Sequence, residues 1–100
     1  MDQLEIGKFI ARMRKEKGLT QSELAERLLI SNKTVSKWEC GNGLPEVSLM
    51  MPLCDALGIT VNELLSGKRL TPSEYQKNAE VNMMKLIREK EEAKFRLIIE

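Results

Sequence analysis

Asn32, Lys33, Ser36 and Lys37 are the side chains of this sequence best suited to recognition chemistry. All four are polar, two are cationic and none is acidic. Their spacing sets them on a helix face opposite Val35 and Trp38. A lysine can donate to O6 and N7 of guanine, and an asparagine can pair with N6 and N7 of adenine. Thr20 and Gln21 stand at the start of the preceding helical segment. Free N–H groups and the positive end of the helix dipole favour phosphate there. The same wheel also describes an ordinary solvated face, and spacing by itself does not separate the two readings.

Catalysis finds little to work with. The sequence has no histidine, which excludes Ser–His and Cys–His chemistry and any histidine-ligated metal. Cys40 and Cys54 are its only cysteines, too few to close a structural zinc site. The glutamates are scattered over polar faces, with no paired carboxylates. Met50, Met51, Met83 and Met84 sit at helical spacings and read as core or interface filling. Cys54 lies on an apolar helix face as a small buried filler. Cys40 follows the third helix, with no neighbouring feature that marks it as a reactive thiol. Neither an enzyme nor a cofactor is expected.

Five short helices must position the recognition residues. Ile6, Phe9, Ile10 and Met13 repeat at i, i+3, i+4 and i+7, and Gly18 supplies a left-handed stop. Thr20-Gln21-Ser22-Glu23 is a capping box that starts a second helix carrying Leu24, Ala25 and Leu28 inward. Ser31 caps a third, with Val35 and Trp38 on its inner face. Two short helices in tight succession form a helix-turn-helix, whose second member enters the major groove of DNA. Gly41-Asn42-Gly43-Leu44-Pro45 is a loop. Ser48 is expected to cap a fourth helix, leaving Pro52 at the end of its first turn, where a missing N–H costs least. Met50, Leu53, Cys54 and Leu57 form its apolar face, and Gly58 ends it. Thr60-Val61-Asn62-Glu63 is a second capping box, opening a fifth helix that Ser66-Gly67 closes. Thr71-Pro72-Ser73-Glu74 is a third, with proline at the favoured first position. No strand alternation appears, so the fold class is all-α. Residues 1–67 form the compact unit and 68–100 a C-terminal helical arm.

The 100 residues make one small domain with an appended arm. Hydrophobic residues are 42% and charged residues 31%, enough for a core and a hydrated surface. Sixteen Lys+Arg balance 15 Asp+Glu to a net charge of +1, so affinity for nucleic acid must come from local placement. Two cysteines at this spacing do not suggest a secreted disulfide framework, and a reducing cytoplasm is expected. The start, MDQLEIGKFI, is amphipathic and carries acids, unlike a signal peptide. No 18-residue apolar run exists, so no membrane contact is expected from this segment.

RKEKGLTQSELAERL, ISNKTVSKWE, a glycine-rich turn with Pro45, and LCDALGITVNELL follow one another at a spacing that resembles the Cro/C1 (Xre-type) helix-turn-helix family. The likeness covers residues 4–66 and implies a five-helix, lambda-repressor-like DNA-binding domain. By that resemblance, Thr20, Gln21 and Asn42 would contact phosphate, and Asn32, Lys33, Ser36 and Lys37 would contact bases. It also implies a buried pair between Arg14 on the first helix and Glu39 at the end of the third. One residue departs from the pattern. The turn between the reading helices usually holds glycine, and here it is Leu29. Positive φ at leucine costs about 1–2 kcal/mol, so either the second helix runs on through Leu29 or the turn closes differently.

Tyr75, Ala79, Met83, Leu86 and Ile87 form an apolar stripe on the arm and are the candidate dimer interface. Residues 88–94, REKEEAK, interrupt any continuous heptad seam. The apolar upswing at Phe95, Leu97, Ile98 and Ile99 has no helix stop, which suggests truncation before a further C-terminal segment. The expected function is a sequence-specific DNA-binding transcriptional repressor, a homodimer on a pseudo-palindromic double-stranded operator. An antitoxin-type autorepressor is the alternative within nucleic-acid binding. A protein-interaction module that kept the fold without DNA binding is the alternative outside it.

Overall fold

Helix α1 spans Gln3–Glu16. Asp2 starts it, its Oδ1 accepting from the N–H groups of Leu4 at 2.9 Å and Glu5 at 3.2 Å. Ile6, Phe9, Ile10 and Met13 are buried on one face, and Gly18 turns the chain with a φ of 69°. Helix α2, Gln21–Leu28, begins at the Thr20–Glu23 capping box. Helix α3, Asn32–Glu39, begins at Ser31, whose Oγ accepts from the Thr34 N–H at 3.3 Å. Helix α4 is Val47–Leu57 and helix α5 is Val61–Ser66, the latter opened by the Thr60–Glu63 box. The computed structural model describes residues 2–71 together with Asn82 and Leu86. No strand occurs among the described residues.

Three packing relations place α3. The backbone of α1 crosses its C-terminal end, α2 packs on its inner face, and α4 buttresses α2. Helix α5 closes the core against α1 and α4. Leu24, Val35, Leu53 and Leu57 are almost fully inaccessible at the centre, with Trp38 beside them. Gly7 makes the α1–α3 crossing possible. A methyl group there would run into the Trp38 carbonyl oxygen and stand 3.1 Å from that of Glu39.

The structure corrects two local expectations. Ser48 is not a cap, because α4 begins at Val47, two residues earlier than a Ser48 cap would start it, with Glu46 as N-cap and no side-chain cap bond. Pro52 therefore lies inside the helix, beyond its first turn. Ser48 and Pro52 are both exposed, so water can satisfy the carbonyl that loses its N–H partner there. Leu29 neither continues α2 nor closes the turn in a new way. It adopts the left-handed conformation itself, at φ 57° and ψ 41°, with its side chain 92% exposed. Leu29→Gly should therefore stabilise the fold by about 1 kcal/mol, since strain is relieved and almost no apolar contact is lost. A urea titration checks this. An unchanged or lowered midpoint would mean that the side chain contributes something its exposure does not show.

Beyond Gly67 the chain returns to α5, and the Lys68 N–H donates to the Glu63 carbonyl at 3.3 Å. The Leu70 N–H donates to Glu63 Oε2 at 3.1 Å. Asn82, helical and buried, donates through Nδ2 to Asn62 Oδ1 at 2.8 Å and to Ser66 Oγ at 2.7 Å. Leu86 is also helical and is half-buried. Tyr75, Ala79, Met83 and Ile87 of the apolar stripe lie outside the described residues. So does the third capping box beyond Thr71.

Candidate nucleic-acid interface

Helix α3 presents its outer face because Val35 and Trp38 anchor the inner one. Asn32, Lys33 and Lys37 are exposed and Ser36 is partly so. Neither lysine has a carboxylate within ion-pair distance among the described residues. The face thus offers two unneutralised cations, an amide and a hydroxyl along two helical turns. Cys40, the C-cap of α3, is exposed at i+3 from Lys37 and i+7 from Lys33, so it ends the same strip. Its spacing was visible in the sequence, although its position after the helix set it apart.

Glu39 locks this helix in place. Arg14 Nε donates to its Oε2 at 2.7 Å and Arg14 Nη2 to its Oε1 at 2.9 Å. Arg14 Nη1 also donates to the Leu19 carbonyl at 2.8 Å. The two side chains are 11% and 7% exposed. The hydrogen bond to Glu39 holds the Arg14 pKa above its already high ordinary value, so the guanidinium stays charged. A third donor joins them: Gln21 Nε2 reaches Glu39 Oε1 at 3.0 Å. One carboxylate thereby ties the end of α3 to α1 and to the start of α2. No local signal points to the Gln21 bond, since helix periodicity does not say how two helix ends meet.

Thr20 is the N-cap of α2 and Gln21 its first residue. The capping box engages the N–H groups of Thr20 and Glu23. Those of Gln21 and Ser22 are left without a protein acceptor among the described residues. Glu23 has its pKa lowered by the Thr20 backbone and side-chain bonds. Its folded value lies below its unfolded one, so its support is present above the ordinary carboxylate range and lost as pH falls through the folded pKa. Asn42 is exposed in the loop after α3, its backbone N–H donating to the Lys37 carbonyl at 3.0 Å. Cys54 is buried and its thiol is pushed up to about 11, chiefly by burial, so it stays protonated at neutral pH. The described residues contain no group of three acids or thiols placed to hold a metal, and no helix long and apolar enough to cross a membrane.

The Helix-turn-helix family model matches residues 10–64. The chain is 37% identical over 67 residues to the HTH-type transcriptional activator BcrR of Enterococcus faecalis, a match covering 67% of this chain and 33% of that protein. It is 27% identical to the cryptic phage CTXphi transcriptional repressor RstR of Vibrio cholerae, over 97% of this chain and 86% of that one. Among solved structures it is similar to the clp gene regulator ClgR from C. glutamicum, with a TM-score of 0.61 and 30% identity over 67% of this chain and 86% of that one. Such proteins are transcription regulators and not enzymes, with the five-helix lambda-repressor-like fold found here. With the family match spanning all of α2, α3 and α4, the second half of α1 and most of α5, the chain belongs to the Cro/C1-type helix-turn-helix family of DNA-binding transcription regulators.

Proposed function

We propose that the chain is a sequence-specific DNA-binding repressor that reads the major groove with the outer face of α3. Asn32, Lys33, Ser36 and Lys37 contact base edges, while Thr20, Gln21 and Asn42 hold phosphates. Residues 1–67 form the reading unit and 68–100 the arm. The observation that carries this reading is the exposed, cationic, acid-free face of α3, held at a fixed tilt by Glu39. Acids or bulky apolar side chains there would instead suit a protein partner. RstR, a transcriptional repressor with which nearly all of this chain aligns, supports the reading as a repressor. Lys37→Ala and Asn32→Ala should each lose about 1–3 kcal/mol of discrimination at particular base pairs. Gln21→Ala and Asn42→Ala should weaken all sequences alike. Binding curves on a set of single-base operator variants check this, and uniform losses for all four would undo the division of roles.

The proposed working form is a cytoplasmic homodimer. One reading helix covers few base pairs, so specificity over a genome calls for two domains. Twofold symmetry sets the two α3 helices about 34 Å apart on a pseudo-palindromic operator. Tyr75, Ala79, Met83, Leu86 and Ile87 are proposed to hold the pair. Met83→Lys with Ile87→Lys should turn a sedimenting dimer into a monomer. A wild-type chain that stays monomeric at high concentration, or a variant that still dimerises, removes the arm from that role.

A further inference from the structure

Beside the reading face, α3, its following loop and the start of α4 enclose a cleft of about 350 Å3. Ile30, Trp38, Leu44 and Leu49 form its apolar wall. Two opposite charges line the same space, Lys37 on α3 and Glu46 at the cap of α4. They are not within ion-pair distance of each other. The Glu46 side chain makes no cap bond to its own helix either. The Lys37 stem lies along Gly43, its Cε 3.2 Å from where a Cβ would stand, so the glycine leaves room for the lysine inside the cleft.

We propose that this cleft binds a free α-amino acid with an apolar side chain. Its carboxylate meets Lys37, its ammonium meets Glu46, and its side chain packs on Trp38, Leu44 and Leu49. The volume falls at the small end of the ligand-pocket range and suits a molecule of phenylalanine's size. An anion without an ammonium would face repulsion from Glu46, and a cation without a carboxylate would face it from Lys37. A neutral apolar molecule would cover both charges without pairing either. A zwitterion with an apolar body satisfies all three features of the lining. The regulatory consequence rests on the reading of Lys37 as a base contact. A ligand that holds Lys37 removes it from DNA, and operator affinity should fall about tenfold, the loss of one base contact.

Trp38 is the only tryptophan, so its fluorescence reports on the cleft. L-phenylalanine titrated into the full chain, with excitation beyond its own absorption, should give a saturable change with millimolar or tighter affinity. 3-Phenylpropionate lacks the ammonium and phenethylamine the carboxylate, and each should bind at least about tenfold more weakly. Glu46→Gln should erase the advantage of phenylalanine over 3-phenylpropionate while leaving ligand-free operator affinity unchanged. Lys37→Met should erase its advantage over phenethylamine. No saturation by about 10 mM phenylalanine, or equal affinity for the three compounds, overturns the site. So does a fluorescence change that follows protein concentration and not phenylalanine, which would give the cleft to a second copy. Operator binding is measured separately. A phenylalanine-saturable cleft in a chain without DNA preference keeps the site and sinks the proposed function. DNA preference with no amino-acid response does the reverse.

Discussion

Arg14→Ala should destabilise the fold by about 3–5 kcal/mol, because it strands a buried carboxylate and leaves the Leu19 carbonyl without its guanidinium donor. In a domain of this size that corresponds to a fall in Tm of roughly 12–40 °C. Glu39→Ala should do comparable harm, since it leaves the guanidinium facing an empty acceptor site and frees the Gln21 amide as well. Replacing both partners, as Arg14→Met with Glu39→Leu, should recover much of the loss, because no unpaired charge then remains buried. Thermal melts of the four chains check this. Single variants within about 1 kcal/mol of wild type would mean that the pair is hydrated in solution and does not hold α3.

Gly7→Ala should cost about 1–3 kcal/mol or more despite the better helix propensity of alanine. Alanine in a helix interior ordinarily gains about 0.5–1 kcal/mol over glycine. Here the added methyl meets main-chain carbonyls of Trp38 and Glu39, which cannot swing away as a side chain would. The end of α3 must move, so operator affinity should fall even where the variant remains folded. Circular dichroism melts paired with DNA binding at low temperature test both parts. A variant as stable as wild type would mean that α1 and α3 are further apart than described.

Much of this arrangement was legible in the sequence because caps and apolar spacing are local. The Thr20–Glu23 and Thr60–Glu63 boxes stand where four consecutive residue types placed them. Val35 and Trp38 face inward, so the outer face of α3 was named correctly by elimination. What escaped the sequence depends on tertiary approach. Nothing near Gly7 in the chain says that another backbone lies against it. The Gln21–Glu39 bond joins two helix ends 18 residues apart, beyond the reach of periodicity. Ser48 resembled a cap, and Pro52 argued for a late start to α4. An exposed helix surface tolerates an interior proline better than that rule allows. Leu29 shows a similar override, because the packing of α2 against α3 imposes a left-handed turn on a residue that disfavours it. Asn82 falls within the spacing of an apolar stripe, and nothing local marks it, yet its buried amide donates to Asn62 and Ser66 of α5.

The central claim is that α3 reads bases, and selection of bound sequences from a random DNA pool tests it most directly. Wild-type protein should enrich one pseudo-palindromic motif, with half-sites about 10 base pairs apart centre to centre. Lys37→Ala should relax the preference at particular positions of that motif while leaving the rest in place. A pool that emerges without enrichment over its starting composition, or a motif that Lys37→Ala, Lys33→Ala and Asn32→Ala all leave untouched, would contradict the account.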